Sequence, residues 1–160
     1  NKIVYLIDVA IKKKKQIFIC GNGGSAAIAS HTLCDWSKRL QKYHNIKIID
    51  LTSHKSLISA ISNDLSHDLI FSKQLEIYSS PGDICIFISS SGNSENIIKG
   101  IKLAKQQKVK SISIVGFNGG KAKKLSDYVI HFETKIYEYH EDLSQILMNI
   151  IYQKLLSKYK

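Results

Sequence analysis

Asp83 to Gln106, DICIFISSSGNSENIIKGIKLAKQ, is the stretch whose reading decides the fold. Ile84 to Ile88 is an unbroken apolar run, short for a helix and rich in β-branched residues, which is the pattern of a strand buried on both faces. Ser89-Ser90-Ser91-Gly92-Asn93-Ser94 follows at once, five serines and glycines in six residues. Beyond it Ile97, Ile98, Ile101, Leu103 and Ala104 recur at helical spacing, while Lys99, Lys102 and Lys105 take the wet side. Strand, hydroxyl-rich turn and helix in that order make a cradle for phosphate. A helix start leaves backbone N–H groups unpaired and carries partial positive charge, so an anion seated there meets amide and hydroxyl donors together. The competing reading is an ordinary βα turn in which Ser94 or Asn93 caps the helix. A cap uses one hydroxyl, and this loop supplies four.

The same design recurs upstream. Gln16 to Cys20 (QIFIC) reads as a short buried strand that runs into Gly21-Asn22-Gly23-Gly24-Ser25, a glycine-rich turn opening onto a helix from Ala26 to about Leu40. Ahead of it, the apolar residues between Ile3 and Ile11 fall on one helical face, and the Lys12–Lys15 run ends that helix in water. Asn45 closes the connection to a strand at Ile46–Leu51. A helix from Lys55 to Ile61, the triplet Ser62-Asn63-Asp64 and a helix from His67 to Tyr78 follow, stopped by Ser79-Ser80-Pro81-Gly82. After the central unit come a strand at Ser111–Gly116, a turn at Asn118-Gly119-Gly120 into a short helix through Leu125, a strand at Tyr128–Phe132 and a closing helix from about Glu141. Five buried strands alternating with helices predict a single α/β domain over residues 1–160, a five-stranded parallel sheet in a three-layer αβα sandwich of flavodoxin-like kind. In such sheets ligands gather beyond the carboxyl ends of the strands, where both polar turns lie.

Composition narrows the classes. Of 160 residues 44% are hydrophobic and 22% charged, the balance of an ordinary globule. No apolar run approaches the ~18 residues a membrane span needs. No signal peptide opens the chain, which begins with Asn1 rather than Met and so leaves room for residues upstream. Cys20, Cys34 and Cys85 lack metal-ligand spacing and read as buried, reduced, small apolar residues of a cytoplasmic protein. The net charge of +10 raises nucleic acid as a partner. Arg39 is the one arginine, no reader motif is present and the lysines spread over many helix faces, so the charge reads as solvated surface.

Taken together, GNGGSAAIASH (Gly21 to His31), SND (Ser62 to Asp64) with FSKQLE (Phe71 to Glu76), SSSGNSENIIKGIKLAK (Ser89 to Lys105) and GFNGGKAKKLSD (Gly116 to Asp127) resemble the SIS, or sugar isomerase, domain, and within it the phosphoheptose isomerases. The resemblance implies an isomerase that converts sedoheptulose 7-phosphate to a D-glycero-D-manno-heptose phosphate, supplying heptose for capsule or lipopolysaccharide. It implies a homotetramer with sites between subunits and no nucleotide cofactor. Carried over residue by residue, it places the sugar phosphate on Ser89, Ser90, Ser91 and Ser94, the sugar on Asn22, Gly23, Gly24 and Ser25, and sugar hydroxyls on Asn63 and Asp64. Glycine suits a backbone that approaches a polyol closely. Asn63 also reads as an ordinary turn residue favouring left-handed backbone.

The family's metal positions are altered. Where phosphoheptose isomerases hold Zn2+ with a histidine and a glutamate one helical turn apart, plus a glutamine and a histidine on the closing helix, this chain has His31 and Asp35 on the first helix. On the closing helix one register offers Glu141 and Asn149; another, shifted by four residues, offers Tyr137 and Gln145. Neither restores the second histidine. Aspartate is shorter than glutamate by about 1.5 Å against metal–ligand tolerances of roughly 0.2 Å. A Zn2+ site of His31, Asp35 and Glu141 with water is the expectation that remains. For isomerisation through an enediol, Asp35 or Glu141 is the candidate base and His31, or a metal it holds, the electrophile; Asn149 joins the substrate-binding set. Two other classes stay open, an idle SIS protein that senses a phosphosugar and regulates a partner, and a nucleic-acid binder.

Overall fold

The computed structural model describes residues 2–40 and 46–159, so Asn45 lies outside the described residues. The elements run α1 (Lys2–Lys12), β1 (Gln16–Gly21), α2 (Gly24–Leu40), β2 (Lys47–Asp50), α3 (Lys55–Asp64), a 3₁₀ turn at His67–Leu69, α4 (Ile70–Tyr78), β3 (Ile84–Ser89), α5 (Glu95–Gln106), β4 (Lys110–Val115), α6 (Gly120–Leu125), β5 (Tyr128–His131) and α7 (Tyr137–Leu156). The strands form one parallel sheet in the order β2-β1-β3-β4-β5. β1 and β3 lie side by side, with Gly21 opposite Ile88, so the glycine and serine turns leave the same edge as neighbours.

Side-chain alternation builds two cores. Ile17, Ile19, Ile84, Ile86, Ile88, Ile112 and Ile114 face the layer of α1, α2 and α7. Phe18, Cys20, Cys85, Phe87 and Val115 face α3, α4, α5 and α6. Asp83 anchors the entry to β3, accepting from the amides of Gln16 (2.9 Å) and Ser80 (2.8 Å). A second buried carboxylate pins α1 to the segment after α7. Asp8 accepts from Lys12 Nζ (3.1 Å), Lys158 Nζ (3.2 Å) and the Tyr159 hydroxyl. Burial alone would raise the Asp8 carboxyl, but these three donors together hold it below the usual carboxylate range.

Four expectations change. Cys34 is exposed on α2, because its position faces away from the sheet; Cys20 and Cys85 are buried and free as expected. The helix expected from Lys55 to Ile61 continues to Asp64, which removes the turn reading of Asn63. The helix expected from His67 opens as a 3₁₀ turn capped by Ser66, whose hydroxyl accepts from Asp68 N. α7 begins at Tyr137, one turn before Glu141, and this brings Tyr137 to the sheet edge.

Candidate active site

At the carboxyl edge of β1 and β3, Asn22, Ser25, Ile88, Ser89, Ser90, Ser91, Ser94, Tyr137 and Glu141 line one cleft of about 140 Å³. It adjoins a wider depression of about 460 Å³ that shares Ser91 and Tyr137 and adds Asn93, Phe117, Asn118 and Lys135.

The serine loop is held from behind by the turn that follows β4. Gly116 N donates to Ser90 O (2.9 Å) and Ala122 N to Gly92 O (2.9 Å), so two loop carbonyls are engaged on the side of that turn. Asn93 braces the loop sideways: its Oδ1 accepts from Lys121 N (3.0 Å) and its Nδ2 donates to Ser91 O (3.2 Å). Gly92 sits at φ +63°, and a Cβ there would fall 2.2 Å from Gly119 O, so the loop and its buttress touch backbone to backbone. Two hydroxyls serve the loop itself, Ser89 Oγ accepting from Gly92 N and Ser91 Oγ from Asn93 N, both at 3.2 Å. Ser94 occupies the N-cap position of α5, yet its side chain makes no capping bond. The plain-cap reading therefore fails: the hydroxyl that would cap is left for the cleft.

The glycine turn is tied to α5 by an amide pair. Asn22 Nδ2 donates to Asn96 Oδ1 (2.9 Å) and Asn96 Nδ2 to Asn22 Oδ1 (3.0 Å); Asn96 Nδ2 also donates to His67 Nε2 (3.2 Å). Gly23 and Gly24 are exposed in this turn and do not line the cleft. Glu141 lies over Gly24 so closely that a Cβ there would fall 2.3 Å from the carboxylate. α7 thus delivers Glu141 onto the rim because residue 24 has no side chain.

The remaining expected site residues lie elsewhere in the chain. Asn63 and Asp64 are exposed in the last turn of α3, where Asn63 Nδ2 donates to Asp64 Oδ1 (2.8 Å). His31 and Asp35 face solvent on α2, with Nε2 and Oδ2 3.3 Å apart and side chains 55% and 40% exposed. Asp35, Asn149 and Arg39 line a separate 260 Å³ hollow between α2 and α7. Asp35 is eleven residues along α2 from Gly24, about 16 Å at the helical rise, beyond the reach of the cleft. Among the described residues no three of His, Cys, Asp or Glu come together as metal ligands. The trio His31, Asp35 and Glu141 is thus not assembled within one chain, and its residues do not fit a Zn2+ site by themselves. The cleft takes Tyr137 and Glu141, one residue from each sequence register. Sequence reasoning passed over Asn96 and His140, whose partners come from distant segments; Arg39 stood at helical spacing after His31 and Asp35 and was readable.

A parallel sheet with a polar cleft of hydroxyls, amides and one carboxylate at its carboxyl edge defines an α/β protein whose candidate ligand site lies where two βα turns meet. The SIS domain model matches residues 1–116. The phosphoheptose isomerase of Aquifex aeolicus is 36% identical over 151 residues, covering 91% of this chain and 79% of that protein. The probable phosphoheptose isomerase of Thermoplasma acidophilum is 35% identical over 146 residues, 91% of this chain and 80% of that protein. Among solved structures, phosphoheptose isomerase GmhA from Neisseria gonorrhoeae superposes with a TM-score of 0.92 at 28% identity, covering 98% of this chain and 84% of that one. The chain belongs to the SIS-domain family, in its phosphoheptose isomerase branch.

Proposed function

We propose that this chain is an aldose-ketose isomerase that interconverts sedoheptulose 7-phosphate and D-glycero-D-manno-heptose 7-phosphate through an enediol. One observation carries the reading: the uncapped Ser94 hydroxyl and the Glu141 carboxylate line the same cleft, which joins an anion-binding loop to a proton acceptor. In the forward direction the base takes a proton from C1 of the ketose, the C2 oxygen gains one, and the enediol collapses with C2 protonated and the O1 proton released. Glu141 is the carboxylate placed for the C1-to-C2 transfer, and the phosphate sits on the serine loop. His31 and Asp35 supply two donors where Zn2+ takes four, so the proton transfers are assigned to side chains.

The working form is proposed to be a homotetramer with sites between subunits. On α7, Tyr139, Leu143, Ile146 and Ile150 recur on one outward face and are 38 to 58% exposed, while Met148, Ile151, Tyr152 and Leu155 of the same helix are buried. A second apolar stripe on a helix whose first is already buried is a surface that a partner covers, and a second copy would cover it while bringing the His31–Asp35 face toward a cleft. Ile146→Asp should lower the sedimenting mass from that of the wild-type assembly; an unchanged mass places the interface elsewhere. Among the described residues no helix is long and apolar enough to cross a membrane. The proposed setting is the cytoplasm, with heptose for capsule or lipopolysaccharide as the product's use.

A second reading, a phosphosugar sensor without catalysis, is favoured by the incomplete trio. NMR of sedoheptulose 7-phosphate in deuterium oxide separates the two. An isomerase washes deuterium into C1 and forms aldose; a sensor binds the sugar and leaves both unchanged.

A further inference from the structure

His140 lies directly behind the serine loop, fully buried, on the inner face of α7. Its Nδ1 is 2.9 Å from Ser90 Oγ, and its Nε2 is 3.5 Å from Ser144 Oγ. Ser144 has one hydroxyl proton, and that proton is committed to His140 O at 2.7 Å. With that proton engaged, the tautomer that satisfies both side-chain contacts carries the ring proton on Nε2 and leaves Nδ1 to accept from Ser90. Burial pushes the imidazole's proton affinity below its ordinary value, though a hydrogen bond to the Ile114 backbone opposes this, and the neutral ring is the form that this pairing requires. Ser90 then donates its only hydroxyl proton backward, away from the cleft. Phe132 closes on the ring edge-on at 6.2 Å between centroids, and a Cβ at Gly116 would fall 2.9 Å from His140 Cδ2, so the ring has little room to turn.

We infer that His140 is a positioning residue for phosphate, fixing the Ser90 segment of the loop by accepting its hydroxyl proton so that the ligand is held by the remaining hydroxyls and by main-chain amides. The role rests on the proposed phosphosugar reading. It also divides the four serines: Ser94 faces the ligand with its hydroxyl, whereas Ser90 spends its hydroxyl as a tether. Buried hydrogen bonds of this kind matter because losing one partner strands the other.

The test is calorimetric titration of sedoheptulose 7-phosphate, and of inorganic phosphate, into wild type, His140→Leu, His140→Asn, Ser90→Ala and the His140→Leu/Ser90→Ala double variant, each checked for folding by thermal melting. Asn places an amide oxygen close to where Nδ1 sits; Leu does not. Expected are losses of roughly tenfold in affinity for Leu and Ala, recovery in His140→Asn, and a double variant no weaker than the worse single, the mark of one shared interaction. In turnover the same variants should raise KM more than they lower kcat. If wild type binds and His140→Leu binds equally well, or if the two losses add in full, the role is overturned while the phosphosugar reading stands. If wild type binds neither ligand at millimolar concentration, that reading falls and the role with it. The nitrogen chemical shifts of His140 give a readout that stability alone would not move: an acceptor Nδ1 in wild type that changes in Ser90→Ala supports the tether, and an Nδ1-protonated ring in wild type contradicts it.

Discussion

The serine loop between β3 and α5 and the outer face of α2 carry the two sets of polar residues that the family resemblance singles out, and the chain treats them differently. In the loop, polar groups are placed by neighbours: Ser89 and Ser91 brace it, Asn93 ties it to α6, and Ser94 is spared from capping. On α2, His31 and Asp35 meet each other at 3.3 Å, largely in solvent, and Asp35 opens on a different hollow. The difference teaches that, in the proposed reading, the groups that would grip an anion are arranged by one strand-turn-helix unit and its immediate neighbours. Chemistry at the far end of the sugar is proposed to draw on α7 and, in the proposed assembly, on another copy.

Changes in one region should leave the other's property alone. Glu141→Gln should have the largest effect, lowering turnover and C1–H exchange by about 10²- to 10⁴-fold while phosphosugar affinity, read by titration, stays within a few-fold. Equal loss of both would merge the two functions. Gly92→Ala should come next, because φ +63° and the Gly119 carbonyl at 2.2 Å leave no place for a Cβ. Thermal or denaturant melts should show at least about 1–3 kcal/mol of lost stability, with anion binding lost alongside. Ser94→Ala should weaken phosphate binding by about 1–3 kcal/mol through one charge-assisted hydrogen bond, without a change in melting, since the hydroxyl does not cap α5.

The smallest effect should arise far from both regions. Asp8 is held below the usual carboxylate range when folded, so it adds stability above its unfolded pKa and loses that contribution as pH falls through the folded value. Asp8→Asn should therefore destabilise at pH 7 by about 1 kcal/mol, discounted for its solvent-reachable lysine partners. The gap to wild type should close on acidification, with phosphosugar affinity unmoved at neutral pH.

The sheet was legible because burial on two faces writes continuous apolar runs such as Ile84–Ile88, and right-handed crossovers then place helices on both faces. The serine and glycine turns were legible for a related reason: their residues are contiguous, and their composition suits one backbone task. What failed to show was whatever depends on a pair from distant segments. Asn96 looks like any first-turn residue until Asn22 comes to face it, and His140 looks like a surface histidine beside Glu141 until the inner face of α7 is known. Of the two readings of Asn63, sugar contact and turn residue, the turn reading rests on the composition of Ser62-Asn63-Asp64, yet α3 runs through it with φ negative at each residue. Local preference yielded there to continuation of a helix. The α7 register stayed open between two alternatives four residues apart, as it must when both keep the same helical face.

The most direct measurement follows the backbone amides of the protein by NMR as sedoheptulose 7-phosphate is added. Saturable shifts that begin at Ser90, Ser91, Ser94 and Asn22 and are matched in the loop by inorganic phosphate are the predicted result. Amides of that loop that stay still at millimolar ligand, or shifts confined to the Asp35–Asn149 hollow, would contradict the placement of the phosphate at the end of β3.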